Sequence, residues 1–384
     1  MKKKIIALAA AVILLTTGCG KEGLHFTKSD EWKVKWETIV EHRIARIVPY
    51  QNGFYYCGVP NCLSYYDIDS GESVVLCNKN GCTHDTESCF AYVEEMPEIY
   101  EDKLYFISPE DEVYVANTDN TEKKKVFTLL KDLKDKGVFT SVGSFVMTEE
   151  YLFFQAQVTE YTEEGETSER RIYALDMDSK KETLIASVDE EKQGLNLESA
   201  YRDILYYTCQ DLPEENYFDM NPEEMKEVEK NLRSELYRMS MAETEPEKVI
   251  EIENGYVAAA TDDYGVLYTE YAGTGFGGCS KMFRVKRGEE KAELVLSAKD
   301  PMGFRFGLRN SEYLWISVDG EERLYSAKTM KPIEEKWEYP LQPAFAYPVP
   351  GGFAVPKEEP QNGETRNYLG REWKYFRLQS GVYQ

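Results

Sequence analysis

One pattern recurs along most of this chain and restricts its fold more than any other. A triplet of apolar and aromatic residues is followed by a polar stretch and then by a second, Tyr-rich triplet. The first member reads Phe54-Tyr55-Tyr56, Leu104-Tyr105-Phe106, Leu152-Phe153-Phe154, Leu205-Tyr206-Tyr207, Val266-Leu267-Tyr268, Leu314-Trp315-Ile316 and Phe353-Ala354-Val355. The second member keeps step from Tyr65-Tyr66-Asp67 to Tyr375-Phe376-Arg377. The unit returns about every 40 to 60 residues, which marks a repeat architecture. Within it hydrophobicity alternates with period two, the pattern of strands. With 28 Tyr and 17 Phe the composition favours pleated sheet over helix.

A shorter apolar run such as Phe145-Val146-Met147 precedes several pairs, so each unit reads as four strands. A small sheet cannot bury both faces alone and must stack on its neighbours. The reading is therefore an all-β fold, a β-propeller of seven four-stranded blades, with six or eight as the alternatives. The last unit runs short, and the strand-like segment Trp36 to Val48 is expected to complete it and close the ring. One helix interrupts the fourth unit. Asn221 caps it, Pro222 takes its first position, Glu224 completes a capping box, and it is expected to run from 222 to 234 with a solvated surface.

Strand alternation puts the loops between strands two and three on the same face of the disc as the crossovers between blades. The long loops Gln157 to Glu169, Gln210 to Glu235, Tyr271 to Lys281 and Lys357 to Arg371 all belong there, so that face is the candidate binding surface. Tyr161, Tyr217, Phe218, Tyr271, Phe276 and Tyr368 are its candidate aromatic contacts, with packing as the plainer role for each.

The N-terminus reads as an export signal. Lys2, Lys3 and Lys4 precede an apolar run from Ile5 to Leu15, too short to span a bilayer. Leu15-Thr16-Thr17-Gly18-Cys19 then resembles a bacterial lipobox, with Thr16 departing from the favoured Leu. The resemblance implies a signal peptide over 1–18, a lipidated Cys19 with a tether over 19–30, and a single propeller domain over 31–384. Cys19 would anchor the chain to the membrane, lipid-held and facing the extracytoplasmic side.

Cysteine chemistry gathers on the same face. Cys77, Cys82, His84 and Cys89 lie in the crossover after the first unit, while Cys57 and Cys62 flank that unit's second-to-third loop. The string LCNKNGCTHDTESCFAY resembles a segment of β-propeller (TolB-like/YVTN-like) lipoproteins of anaerobic Gram-positive gut bacteria, with its Cys-x4-Cys-x-His-x4-Cys spacing. That resemblance implies address and fold, with no reaction attached. Three thiols and one imidazole match the donor set of a closed structural zinc site, and Asn78 to Gly81 offers the turn between ligands. Disulfides are the alternative that export favours. They would join Cys57 with Cys62 and two of the crossover thiols, while Cys209 and Cys279 could pair or be buried free thiols. No other cofactor is indicated.

Catalytic signals are sparse. Of three histidines, His25 falls in the tether and His42 in the closing segment, so a histidine-based triad lacks its parts. Gly273 to Gly278 is glycine-rich but lacks the Lys-Ser/Thr that grips phosphate. With 69 acidic against 45 basic residues, the net charge of −24 repels nucleic acid. The leading expectation is a binding or scaffolding propeller for a protein, peptide or glycan, more a binder than an enzyme. A carbohydrate-active enzyme with paired carboxylates and a thiol- or metal-dependent envelope sensor are the alternatives.

Overall fold

The structure is a computed structural model. It describes residues 38–39, 47–332 apart from short internal stretches such as 214–219 and 272–278, and then 347–349, 352–356 and 373–377. The signal segment, Cys19, His25, His42 and the aromatics Tyr217, Phe218, Phe276 and Tyr368 lie outside the described residues.

The chain is an all-β propeller of antiparallel sheets joined in sequence order. The first blade comprises Ile47–Tyr50, Gly53–Gly58, Cys62–Asp67 and Glu72–Val75. The second holds Glu98–Tyr100, Lys103–Ile107, Glu112–Asn117 and Lys124–Thr128. The third holds Phe139–Met147, Tyr151–Thr162, Gly165–Asp176 and Glu182–Asp189. The fourth is Gln193–Tyr201, Ile204–Asp211, Arg233–Ser240 and Glu247–Glu253, and the fifth Gly255–Thr261, Gly265–Tyr271, Cys279–Val285 and Glu293–Ser297.

Two further sheets have three strands each. They are Phe304–Arg309, Tyr313–Val318 and Glu321–Ser326, then Tyr347–Val349, Gly352–Pro356 and Trp373–Arg377. The expectation of seven four-stranded blades is thus overturned: the described residues form five. In the sixth unit the place of a fourth strand is taken by Met330-Lys331-Pro332, where Pro332 makes a single bridge to Tyr325. Proline has no N–H to give a ladder, which weakens pairing at that position.

The N-terminal segment also differs from expectation. Thr38–Ile39 pairs with Ser199 and Ala200 as a fifth strand of the fourth blade, and Ile47 opens the first blade. Neither joins the last sheet. Through the first five blades strand one lies beside strand one of the next, and Tyr347–Val349 lies beside Ile47–Tyr50, which makes the first and last sheets neighbours.

Period two decides which neighbour each side chain meets. In the third blade Leu152 and Phe154 pack toward the second blade with Ile107, Val113 and Leu129, while Phe153 points the other way among Leu195, Leu205 and Tyr207 of the fourth. Every large cluster spans two consecutive blades in this manner. Full burial of a ring such as Phe153 contributes roughly 2–3 kcal/mol.

Two further repeats tie the blades together. Directly opposed aromatics stack across strands two and three as Phe154 on Tyr173, Tyr207 on Tyr237 and Tyr268 on Phe283, with centroids 5.2–5.3 Å apart. In the second blade the equivalent Phe106 and Tyr114 lie beneath the Lys123 ammonium. Beside each pair strand four carries one extra residue, Val126, Ile185, Val249 or Val295, where the register shifts. Such a bulge increases local twist, which the blade needs.

Helix α2 spans Pro222–Asn231, between strands two and three of the fourth blade. Asn221 Oδ1 accepts from the Glu223 and Glu224 amides, and Glu224 accepts from the Asn221 amide at 2.8 Å. It ends three residues short of expectation because Leu232 is already extended. The helix is not wholly solvated either, since Glu229 is fully buried. A single turn, α1 at Lys131–Lys134, has no periodic signal in the sequence.

Candidate metal centre and loop face

The crossover from the first to the second blade is held against strand three of the first blade by its backbone. Leu63 N–H donates to Ala91 O at 2.7 Å, Val93 N–H to Asn61 O at 3.0 Å, and Cys62 bridges Tyr92. From the second blade the buried Asn120 amide donates to Leu76 O and Phe90 O, one on each side of the excursion. The segment 77–89 is therefore a loop pinned at both ends.

Inside it, sequence sets the local turns. Gly81 has a φ of +70°, a conformation glycine adopts without penalty, and Cys82 N–H closes that turn onto Lys79 O. His84 takes a φ of +59°, which costs a non-glycine residue about 1 kcal/mol. That backbone turns its imidazole back toward the thiols, with Nδ1 3.4 Å from Cys89 Sγ.

The result is a compact donor group. The ligand atoms of Cys77, Cys82, His84 and Cys89 all lie within 4.8 Å of one another. Cys77 and Cys89 are buried, Cys82 and His84 half-buried. Burial works to raise the Cys77 thiol, but the Lys79 amide, the Cys82 and Cys89 thiols and the Phe90 amide outweigh it and hold Cys77 below the ordinary cysteine value. Burial pushes Cys89 up to about 12, although the Ala91 amide opposes it. Amides aimed at sulfur are how thiolate ligands are steadied around a cation, and a divalent ion would replace the protons that burial otherwise retains. The donor set fits a tetrahedral thiophilic ion with no position left for substrate.

A fifth sulfur borders this group. Cys62 packs with Cys77, Cys89 and Ala91, and its Sγ–H donates to the His84 carbonyl oxygen at 3.6 Å. Spacing alone did not attach Cys62 to the cluster; the bridge to Tyr92 brings it there.

The other cysteines are set apart. Cys57 stands opposite Leu63 and packs between the first and second blades, whereas Cys62 stands opposite Gly58 and faces the other way. Cys209 belongs to the cluster of the third and fourth blades and Cys279 to that of the fifth and sixth. Burial raises both thiols, Cys209 to about 11.

On the same face the third blade carries a projecting excursion, and it is not the loop expected over 157–169. The ladder continues from Tyr151↔Asp176 to Thr162↔Gly165. Strand one reaches only Thr159 and strand four only Glu169, so the hairpin projects beyond its sheet. Polar pairs rather than apolar ones hold its neck. Glu190 accepts from Ser168 Oγ at 2.6 Å, Gln157 Nε2 at 2.7 Å and Arg170 at 3.1 Å. Glu169 accepts from Arg171 Nε at 2.7 Å and Ser187 Oγ at 2.6 Å. At the root, buried Asp111 accepts from Thr140 Oγ1 at 2.7 Å and Val142 N–H at 2.8 Å, and pairs with Lys134 of α1 at 2.9 Å. Tyr161 is 68% exposed near the tip, and Phe139 is exposed beside it. Tyr271, by contrast, is half-buried and accepts from Gln210.

Among the described residues no helix is long and apolar enough to cross a membrane. No family model matches the chain, and no curated protein sequence does. Among solved structures it is similar to an acylaminoacyl peptidase of Pyrococcus horikoshii, at 11% identity and a TM-score of 0.48 over 92% of this chain. The match covers 54% of the peptidase, so the chain spans about half that protein's length. It is similar to the β-propeller domain of the trilobed protease from Pyrococcus furiosus, at 13% identity and a TM-score of 0.43, covering 90% and 96% of the two chains. An oligogalacturonate lyase in complex with manganese gives 10% identity and a TM-score of 0.47, covering 90% of each. None of these likenesses bears on the chemistry of this chain.

Proposed function

We propose that the chain is a lipid-anchored extracytoplasmic propeller that binds a protein, peptide or glycan on its loop face, with Cys77, Cys82, His84 and Cys89 holding a structural zinc ion. The observation that carries the metal reading is the convergence of four donors within 4.8 Å on a pinned loop. Support for binding comes from the projecting third-blade hairpin, which presents Tyr161 on a rigid scaffold. The lipid anchor rests on Lys2, Lys3 and Lys4, the apolar run from Ile5 to Leu15 and the Gly18-Cys19 that follows it.

The ion would hold the crossover in one conformation and leave catalysis aside. Native mass spectrometry of the chain from Gly20 onward, prepared anaerobically, is expected to show one zinc that His84→Ala removes; a metal-free native chain overturns the reading. Metabolic labelling with an alkynyl fatty acid is expected to mark the full chain and not its Cys19→Ala variant. A panel of cell-wall glycans and peptides, screened against the native chain and Tyr161→Ala, tests the binding face.

A further inference from the structure

The crossover gathers four sulfur or imidazole donors, and Cys62 beside them is one thiol more than a tetrahedral ion needs. Cys62 is buried, its proton is directed to the His84 carbonyl oxygen, and its side chain packs in one buried cluster with Cys77, Cys89 and Ala91. The two residues are fixed relative to one another by backbone, because Cys62 bridges Tyr92 while Tyr92 N–H donates to Cys89 O at 3.0 Å. A thiol held beside a ligand thiolate is the arrangement from which a disulfide forms in competition with metal.

We infer that Cys62 and Cys89 form an oxidation site in which a peroxide links the two sulfurs and thereby removes Cys89 from the metal. The inference rests on the zinc reading above and adds its regulation.

The chemistry balances with hydrogen peroxide as the oxidant. The metal-bound Cys89 thiolate attacks one peroxide oxygen, the O–O bond breaks, and hydroxide leaves with the formation of a sulfenic acid. Cys62 Sγ then attacks the Cys89 sulfur, the S–O bond breaks, and the departing oxygen takes the Cys62 proton and leaves as water. Two electrons pass from the sulfurs to the peroxide, and the products are one disulfide, one water and one hydroxide. An ion held by the four donors would be left with Cys77, Cys82 and His84 and would dissociate more readily.

The experiment uses the reduced, zinc-loaded chain from Gly20 onward, treated with hydrogen peroxide in the presence of a chromophoric chelator. Zinc release, intact mass and disulfide-linked peptides are followed together. The native chain is expected to lose two hydrogens, release its zinc and yield a peptide linking Cys62 to Cys89. Cys62→Ser and Cys62→Ala are expected to bind one zinc and to release it at least about tenfold more slowly. Release from both variants at the native rate, or a native linkage mapped to another pair such as Cys77 and Cys82, overturns the inference. Should one variant not fold, the other and the native linkage map decide. If the reduced chain takes up no zinc, the metal reading fails by itself, while the linkage map still confirms or overturns the oxidation site.

Discussion

Two excursions leave the same face of the propeller and are held by opposite means. The crossover of the first blade is short, partly buried and tied by thiols, an imidazole and backbone bonds. The third-blade hairpin is long, projecting and tied at its neck by carboxylates with Arg, Ser and Gln partners. The first kind of tie, if it holds the proposed ion, would depend on redox state and metal more than on salt; the second depends on charge, and salt weakens it. The comparison teaches that one disc can present a stiff element and a responsive one side by side.

The largest break in that contrast comes from removing a crossover ligand. Cys77→Ser is expected to abolish zinc uptake and to destabilise the chain by on the order of 4 kcal/mol, read from denaturant midpoints with zinc present. Hydrogen exchange should quicken over 77–93 and stay unchanged over 157–169. Equal quickening in both segments would mean that the crossover is no separate unit.

Next in size is Asp111→Ala at the hairpin's root. It strands the Thr140 hydroxyl, the Val142 amide and the Lys134 ammonium, at a cost of about 3 kcal/mol. Exchange should quicken over 139–142 and at the neck while zinc stoichiometry stays intact. A variant as stable as the native chain would show that water replaces these bonds.

Acid should loosen the hairpin neck at a pH set by its carboxylates. The Glu169 carboxyl is held below its usual value by Ser187 and Arg171. Burial works to raise Glu190, but Ser168, Arg170 and Gln157 outweigh it. A depressed carboxylate contributes stability that is present above its unfolded value and is lost as pH falls through the folded one. Neck protection is therefore expected to be full at pH 6 and to fall below about pH 4.3, the ordinary glutamate value. Constant exchange at residues 157–170 down to pH 3 would refute the charge-based neck.

The smallest stability effect is expected at Tyr161. Its ring touches mostly solvent, so Tyr161→Ala should shift stability by no more than about 0.5 kcal/mol. Thermal melting checks this, and only a stable variant makes a loss of binding interpretable.

How legible these regions were differs for physical reasons. Cys77, Cys82, His84 and Cys89 stand close in sequence, so their meeting could be expected from spacing alone. Strand order puts Cys62 on their face, but its seat against Cys89 follows from the Tyr92 bridge, a long-range backbone contact. The blades were legible because triplets such as Leu152-Phe153-Phe154 alternate between two neighbouring cores. Their four-strand count was not, because Pro332 makes a single bridge in the sixth unit and Thr38–Ile39 pairs with the fourth blade. The hairpin read as a loop because Thr159, Ser168, Glu169 and Glu190 replace the apolar residues that strand patterns rely on. Glu229 was likewise assigned to solvent from composition, whereas the fold buries it.

The three-stranded sheets have a consequence for how copies of this chain meet. Among the described residues Glu321–Ser326 and Trp373–Arg377 end their sheets, and the end of a sheet is where another strand can add. Glu321, Glu322 and Arg323 crowd one such strand with charge, and Lys374 and Arg377 the other. Charged residues on end strands discourage edge-to-edge growth, so these five positions are the gatekeepers against aggregation. Replacing them with threonine is expected to leave the blades in place and turn a dispersed protein into one that self-associates.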